Sequence, residues 1–193
     1  MTKNILLVGV GGQGTILASK LLTNGLMEAG YDVKMSEIHG MSQRGGSVST
    51  HVRFGEKVAS PVIEIGGADL LVAFEKMEAL RWFNYLKPGG KVVVNDYELP
   101  PMPVISGKVD YPVDTLDEIK RRAKAVVINA VNEAEKLGNT KVMNVILLGS
   151  IIHLMGLEQI NWQRILEKNI KPNFIDLNLQ ALKIGMESVV VAS

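Results

Sequence analysis

Glycines at positions 9, 11 and 14 stand directly after the apolar run Ile5-Leu6-Leu7-Val8 and directly before a helix-like pattern that begins at Thr15. This arrangement constrains the chain more than any other feature in it. It predicts a strand, a tight turn and a helix start. Such a turn needs glycine to bend sharply, to let backbone amides approach a ligand, and to let the helix pack closely on the strand. Free amides at a helix N-terminus, aided by the positive end of the helix dipole, form a site for an anion. Gly9, Gly11, Gly12, Gln13, Gly14 and Thr15 are therefore the first candidate binding residues. The same spacing also suits a turn that only packs the first helix or faces a partner protein.

Downstream, Ile16, Leu17, Leu21, Leu22, Leu26 and Met27 fall near helical spacing, and Gly30 stands where that helix would end. Residues 31–37 read as a second strand closing with Glu37, the kind of acid that holds a ribose in dinucleotide sites. The loop Ile38-His39-Gly40-Met41-Ser42-Gln43-Arg44-Gly45-Gly46-Ser47 combines small residues with polar ones. Its glycines permit close approach, and Arg44 offers a forked, permanently charged donor to phosphate or carboxylate. Gln43, Arg44, Gly45, Gly46 and Ser47 join the candidate list, whereas His39 reads as a loop hydrogen-bonder.

Alternation over 48–53 predicts a strand with His51 on a polar, solvated face, and 61–65 is a plausible antiparallel partner for it. Strand, helix and strand follow at 68–74, 75–86 and 91–95, with a Pro-Gly turn at Pro88-Gly89. Glu75, Glu78 and Asp96 are expected to cap helices or face solvent. Leu99-Pro100-Pro101-Met102-Pro103 is expected to be extended, 110–113 to be a short edge piece, and Thr115-Leu116-Asp117-Glu118 to be a capping box. A buried strand at 125–130 then gives way to helices over 131–137, 141–155, 162–169 and 173–186, with Asn161 capping the third. Asn144, near the start of the second, is placed to meet a ligand at the sheet edge. Gly149 and Ser150 could pack that helix inside the molecule or against another subunit. The whole describes one α/β domain over 1–193: a Rossmann-like, doubly wound, mostly parallel sheet with a hairpin insertion and a helical C-terminal part.

Composition narrows the chemistry. The 21 basic and 20 acidic side chains nearly cancel, so nucleic acid and anionic membrane have no electrostatic claim as main partners. The chain has no cysteine, which excludes a disulfide framework, a thiol nucleophile, Cys-ligated zinc and any iron–sulfur cluster held by this chain alone. Met1-Thr2-Lys3 runs straight into the first strand, and nothing there reads as a leader, so the cytoplasm is the expected location.

Taken together, Val8-Gly9-Val10-Gly11-Gly12-Gln13-Gly14, the Gln43-Arg44-Gly45-Gly46 loop at its spacing and the strand after it resemble the gamma-type subunits of the 2-oxoacid:ferredoxin oxidoreductases. The Met41-Ser42-Gln43-Arg44-Gly45-Gly46 form of the loop and the helical C-terminal part most resemble the small subunits of the indolepyruvate branch. That resemblance implies thiamine-diphosphate-dependent oxidative decarboxylation of a 2-oxoacid, with CoA as acyl acceptor and ferredoxin as electron acceptor. Indolepyruvate is the first substrate it suggests, with pyruvate or 2-oxoglutarate as alternatives. It also implies a catalytic partner chain carrying thiamine diphosphate and the iron–sulfur clusters, since this chain has no cysteine and shows no thiamine-diphosphate signature. The expected contribution here is a docking face, with the glycine turn and the Arg44 loop closing over an anion. CoA's phosphates come ahead of the thiamine pyrophosphate in that role, and no residue of this chain is assigned a catalytic one. A stand-alone NAD(P)-binding protein, an adenylating enzyme and a purely structural subunit are the other readings the glycine turn allows.

Overall fold

The computed structural model describes residues 1–39 and 46–191. Its centre is a six-stranded sheet in the order β2-β3-β1-β4-β5-β6. The strands are β1 (Lys3–Val10), β2 (Asp32–His39), β3 (Ser47–Gly55), β4 (Ala68–Ala73), β5 (Leu86–Asn95) and β6 (Lys124–Ile128). β1, β4, β5 and β6 pair in parallel. β3 runs antiparallel between β1 and β2, with Val8 opposite Ser49 on one side and Glu37 opposite Thr50 on the other. β2 thus lies one place further from β1 than a plain βαβ unit would put it.

The alternation of side chains along each strand creates two cores. Ile5 and Leu7 of β1, with Val52, Val72 and Val93, face one side and pack under α1 (Thr15–Glu28). Leu6 and Val8, with Leu71, Ala73, Val92 and Val94, face the other and meet α2 (Lys76–Arg81). Burial on both faces explains why these strands read as unbroken apolar runs. α3 (Met102–Ile105), α4 (Thr115–Arg122), α5 (Ala130–Lys136), α6 (Met143–Met155), α7 (Trp162–Asn169) and α8 (Ile175–Val191) complete the chain. α6 is buried nearly throughout and crosses α8 at a pair of glycines. A Cβ on Gly149 would overlap the Leu182 carbonyl oxygen, and one on Gly185 would overlap that of Ile146. The small residues of α6 therefore serve packing within the chain. No helix among the described residues is long and apolar enough to cross a membrane.

Several local expectations change. Residues 61–65 form no strand; β3 finds its antiparallel partners in β1 and β2 instead. His51 is consequently buried, 2% exposed, because the 61–65 segment covers it and the Ile63 amide donates to its Nδ1 at 3.1 Å. Burial lowers its pKa, and its Nε2 has no partner among the described residues. The proline-rich stretch is not wholly extended, since α3 makes one helical turn with Pro103 in its first turn, where no amide hydrogen bond is required. Residues 110–113 are likewise not a strand. The capping box is absent: Thr115 already lies inside α4, and its hydroxyl donates to the Pro112 carbonyl at 2.9 Å. Asn161 does cap α7, accepting from the Arg164 amide at 3.1 Å.

Candidate functional site

The turn from β1 into α1 is held by side-chain amides at the carboxyl edge of the sheet. Gln13 Oε1 accepts from the Val10 amide at 2.8 Å, and its Nε2 donates to the Phe74 carbonyl at 3.2 Å. Asn95 Nδ2 donates to the same carbonyl at 3.1 Å, while Asn95 Oδ1 accepts from the Ala130 amide at 3.0 Å. This chain of amides stitches the ends of β1, β4 and β5 to the start of α5. Gly9 is required by space, because a Cβ there would lie 2.8 Å from Gln13 Oε1 and 2.9 Å from Phe74 Cβ. Gln13 and Gly9 thus build the turn from behind and do not line its open side.

On that open side lies a cleft of about 340 Å³ lined by Gly11, Gly12, Gly14 and Thr15, by Glu37 and Ile38 of β2, and by Val48, Ser49 and Thr50 of β3, among others. Gly12 and Gly14 have φ of 105° and 81°, which an L side chain adopts only with strain. Their amides donate to no group among the described residues. The Gly11 amide is used, donating to the Gly46 carbonyl at 2.9 Å. That bond ties the turn to the residue preceding β3. Gly14 is the N-cap of α1 and has no capping side chain, so the first-turn amides of the helix face the same region. Three hydroxyl residues that line the cleft, Thr15, Ser49 and Thr50, are buried. Glu37 accepts from the Ser19 hydroxyl at 3.2 Å, which orients its carboxylate. Open amides at one end and a carboxylate with hydroxyl neighbours at the other match a ligand with an anionic end and a hydroxylated body.

Asn144, at the start of α6, backs this turn. Its Nδ2 donates to the Gly14 carbonyl at 3.2 Å, and its Oδ1 is buried without a partner among the described residues. Of the residues picked from sequence, Gly11, Gly12, Gly14 and Thr15 converge on the cleft. Gln43, Arg44 and Gly45 lie outside the described residues. Ser47 faces the other side of the sheet, where its hydroxyl donates to the Glu78 carboxylate and accepts from Trp82 Nε1 at 3.3 Å.

That other side holds two buried acids, which composition alone did not mark. Glu75 is fully buried; it caps α2 through the Glu78 amide at 3.0 Å and accepts from the Tyr111 hydroxyl. Burial, the Glu75 hydrogen bond and the Glu75 charge together push the Tyr111 hydroxyl far above the ordinary tyrosine range. Glu78 is 2% exposed, and burial raises its pKa against the opposing pull of the Ser47 hydroxyl and of Arg81, which pairs with it at 2.7 Å. The capping role expected for Glu75 is what the structure shows. Thr50, Ser49 and Ile38 were missed as cleft residues, since only the insertion of β3 between β1 and β2 brings them there.

The family model described as pyruvate ferredoxin/flavodoxin oxidoreductase matches residues 4–188. Indolepyruvate oxidoreductase subunit IorB of Thermococcus kodakarensis is 39% identical, over 96% of this chain and 95% of the relative. A keto/oxoacid ferredoxin oxidoreductase gamma subunit from Geobacter sulfurreducens superposes with a TM-score of 0.73 at 21% identity, covering 98% of this chain and 99% of that one. The 2-oxoglutarate:ferredoxin oxidoreductase of Magnetococcus marinus, solved with 2-oxoglutarate, coenzyme A and succinyl-CoA, matches over 98% of this chain with a TM-score of 0.76 at 18% identity, but this chain spans only 31% of that polypeptide. These two structures agree on the α/β fold, and the family match covers nearly the whole sequence: the chain belongs to the pyruvate ferredoxin/flavodoxin oxidoreductase family.

Proposed function

We propose that this chain is the accessory subunit of a cytoplasmic, thiamine-diphosphate-dependent, CoA-acylating 2-oxoacid:ferredoxin oxidoreductase acting on indolepyruvate and other aryl pyruvates. The observation that carries the reading is the 39% identity to an indolepyruvate oxidoreductase subunit along almost the full length of both chains. The absence of cysteine assigns the iron–sulfur clusters to a partner chain, and the thiamine diphosphate goes with them. The subunit is inactive alone and passes electrons to ferredoxin only within the complex.

Within that reading, the cleft beside the glycine turn receives the phosphates of CoA. The open amides of Gly12 and Gly14 and the first turn of α1 suit the anion, and Glu37 suits a hydroxyl of the attached sugar. When bound, CoA supplies the thiol that accepts the acyl group; this chain's part is to hold and orient it. Gln43, Arg44, Gly45 and Gly46 belong to this proposal through their place in the sequence, with Arg44 as an additional phosphate donor, whereas Ser47, held by Glu78 and Trp82 on the other side of the sheet, does not.

Anaerobic affinity purification of the tagged chain, with partner identification and 2-oxoacid-dependent dye reduction, tests the first part. A brown complex active with indolepyruvate and CoA is expected. A colourless, unaccompanied protein that binds NAD(P) would overturn the reading. CoA titrated against the wild-type subunit and the Arg44→Ala variant tests the second part, with weaker binding by the variant expected and equal affinity counting against it.

A further inference from the structure

A second concavity opens at the opposite edge of the sheet, where β5 and β6 begin. It has a volume of about 570 Å³, and its walls include Phe83, Leu86, Lys87, Lys91, Arg122 and Lys124, with no acidic residue among those lining it. Two of its four cations are already matched. Lys87 pairs with Asp69, and Arg122 pairs with Glu118 while its guanidinium lies 5.6 Å from the centroid of the Phe83 ring. The other two are not. Lys91 and Lys124 are exposed, have no carboxylate partner among the described residues, and face each other directly in the β5–β6 register.

Paired strands lie about 4.8 Å apart, so two ammonium-bearing stems leave the sheet side by side. Like charges so placed repel. With a net charge of only +1 over the whole chain, this gathering is local. Lys120 and Arg121 at the end of α4 extend the positive field, and Glu118 is shared between Arg121 and Arg122. Among the described residues no α-helix N-terminus and no buried unpaired donor lines the cleft, so it lacks the fixed cradle that a phosphate favours. Lys91 and Lys124 leave β5 and β6 on the face of Val93 and Val126, and Phe83 and Leu86 pack on the other, so ammonium groups and apolar side chains flank the cleft from the two faces of the sheet. That combination suits an acidic peptide crossing the sheet end, whose stems lie against the apolar wall while its carboxylates reach the lysines.

We propose that this cleft docks a carboxylate-rich segment of another polypeptide. The site lies across the sheet from the glycine turn and stands independently of what binds there.

The test uses the full chain and a fluorescent octaglutamate peptide followed by anisotropy. Wild type is compared with Lys91→Glu/Lys124→Glu, with the milder Lys91→Gln/Lys124→Gln, and with Lys20→Glu/Lys171→Glu, which makes the same charge change at exposed sites elsewhere. Binding that weakens with salt, falls about tenfold or more in the Lys91/Lys124 reversal and by a smaller factor in the glutamine pair, and stays within about twofold in the remote control, is expected. No binding by wild type, equal loss in the remote control, or displacement of the peptide by equimolar inorganic pyrophosphate would overturn the proposal. All four proteins should unfold at similar temperatures, since the altered side chains are exposed.

Discussion

Replacing Gly14 by alanine tests how the turn is held, because two separable costs meet there. The residue sits at φ 81°, where an L side chain is disfavoured by about 1–2 kcal/mol. An added Cβ would also stand 2.5 Å from Asn144 Nδ2 and 3.1 Å from its Cγ, and Asn144 is buried and has little room to retreat. Overpacking of this kind costs about 1–3 kcal/mol, and expelling the amide loses its bond to the Gly14 carbonyl, about 1 kcal/mol. Gly14→Ala should therefore destabilise by roughly 3–6 kcal/mol. Asn144→Ala alone should cost only about 1 kcal/mol: the Gly14 carbonyl still accepts from the Ala18 amide at 3.2 Å, and an unpartnered buried Oδ1 disappears. In the double variant the steric part and the expelled bond drop out and only the backbone strain adds, giving a coupling of about 2–4 kcal/mol. Urea unfolding followed through the fluorescence of Trp82 and Trp162 measures all four corners of the cycle. Additivity within about 0.5 kcal/mol would refute the claim that Asn144 braces the turn by contact.

Two further outcomes follow from other contacts. Gly185→Ala gains about 1 kcal/mol of helix propensity but forces α8 off the Ile146 carbonyl, so a net loss of about 2 kcal/mol and a Tm lower by roughly 4–8 °C are expected; an unchanged Tm would mean that α6 and α8 do not cross there. Burial raises the Glu78 carboxyl above its ordinary 4.5, so the folded state holds that proton more tightly than the unfolded chain does, and the associated stability is full below that pH and lost as pH rises through the raised value. Tm measured across this range should fall less steeply for Glu78→Gln than for wild type, and superimposable profiles would show that Glu78 is not the responsible group.

Physical periodicity made much of the architecture legible in the amino-acid order. Strands buried on both faces must be apolar without interruption, so β1, β4, β5 and β6 announce themselves, as does the glycine turn that no other residue type can make. α7 with its Asn161 cap was an equally local reading, whereas the packing of α6 inside the chain was left open by the sequence. What stayed hidden depends on partners distant in sequence. His51 has the pattern of a solvated strand face and becomes buried only because 61–65 folds over it. Glu78 looks like an exposed helical acid until Ser47, from 31 residues away, closes on it. Thr50 and Ser49 reach the cleft because β3 inserts between β1 and β2, a choice of strand order that no periodicity encodes. Lys91 and Lys124 are unremarkable as separate letters, and only the register of β5 against β6 turns them into a paired positive site. Local order sets which segments are strands and which turns demand glycine; the pairing of strands, a tertiary property, sets which side chains share a surface and therefore a chemistry.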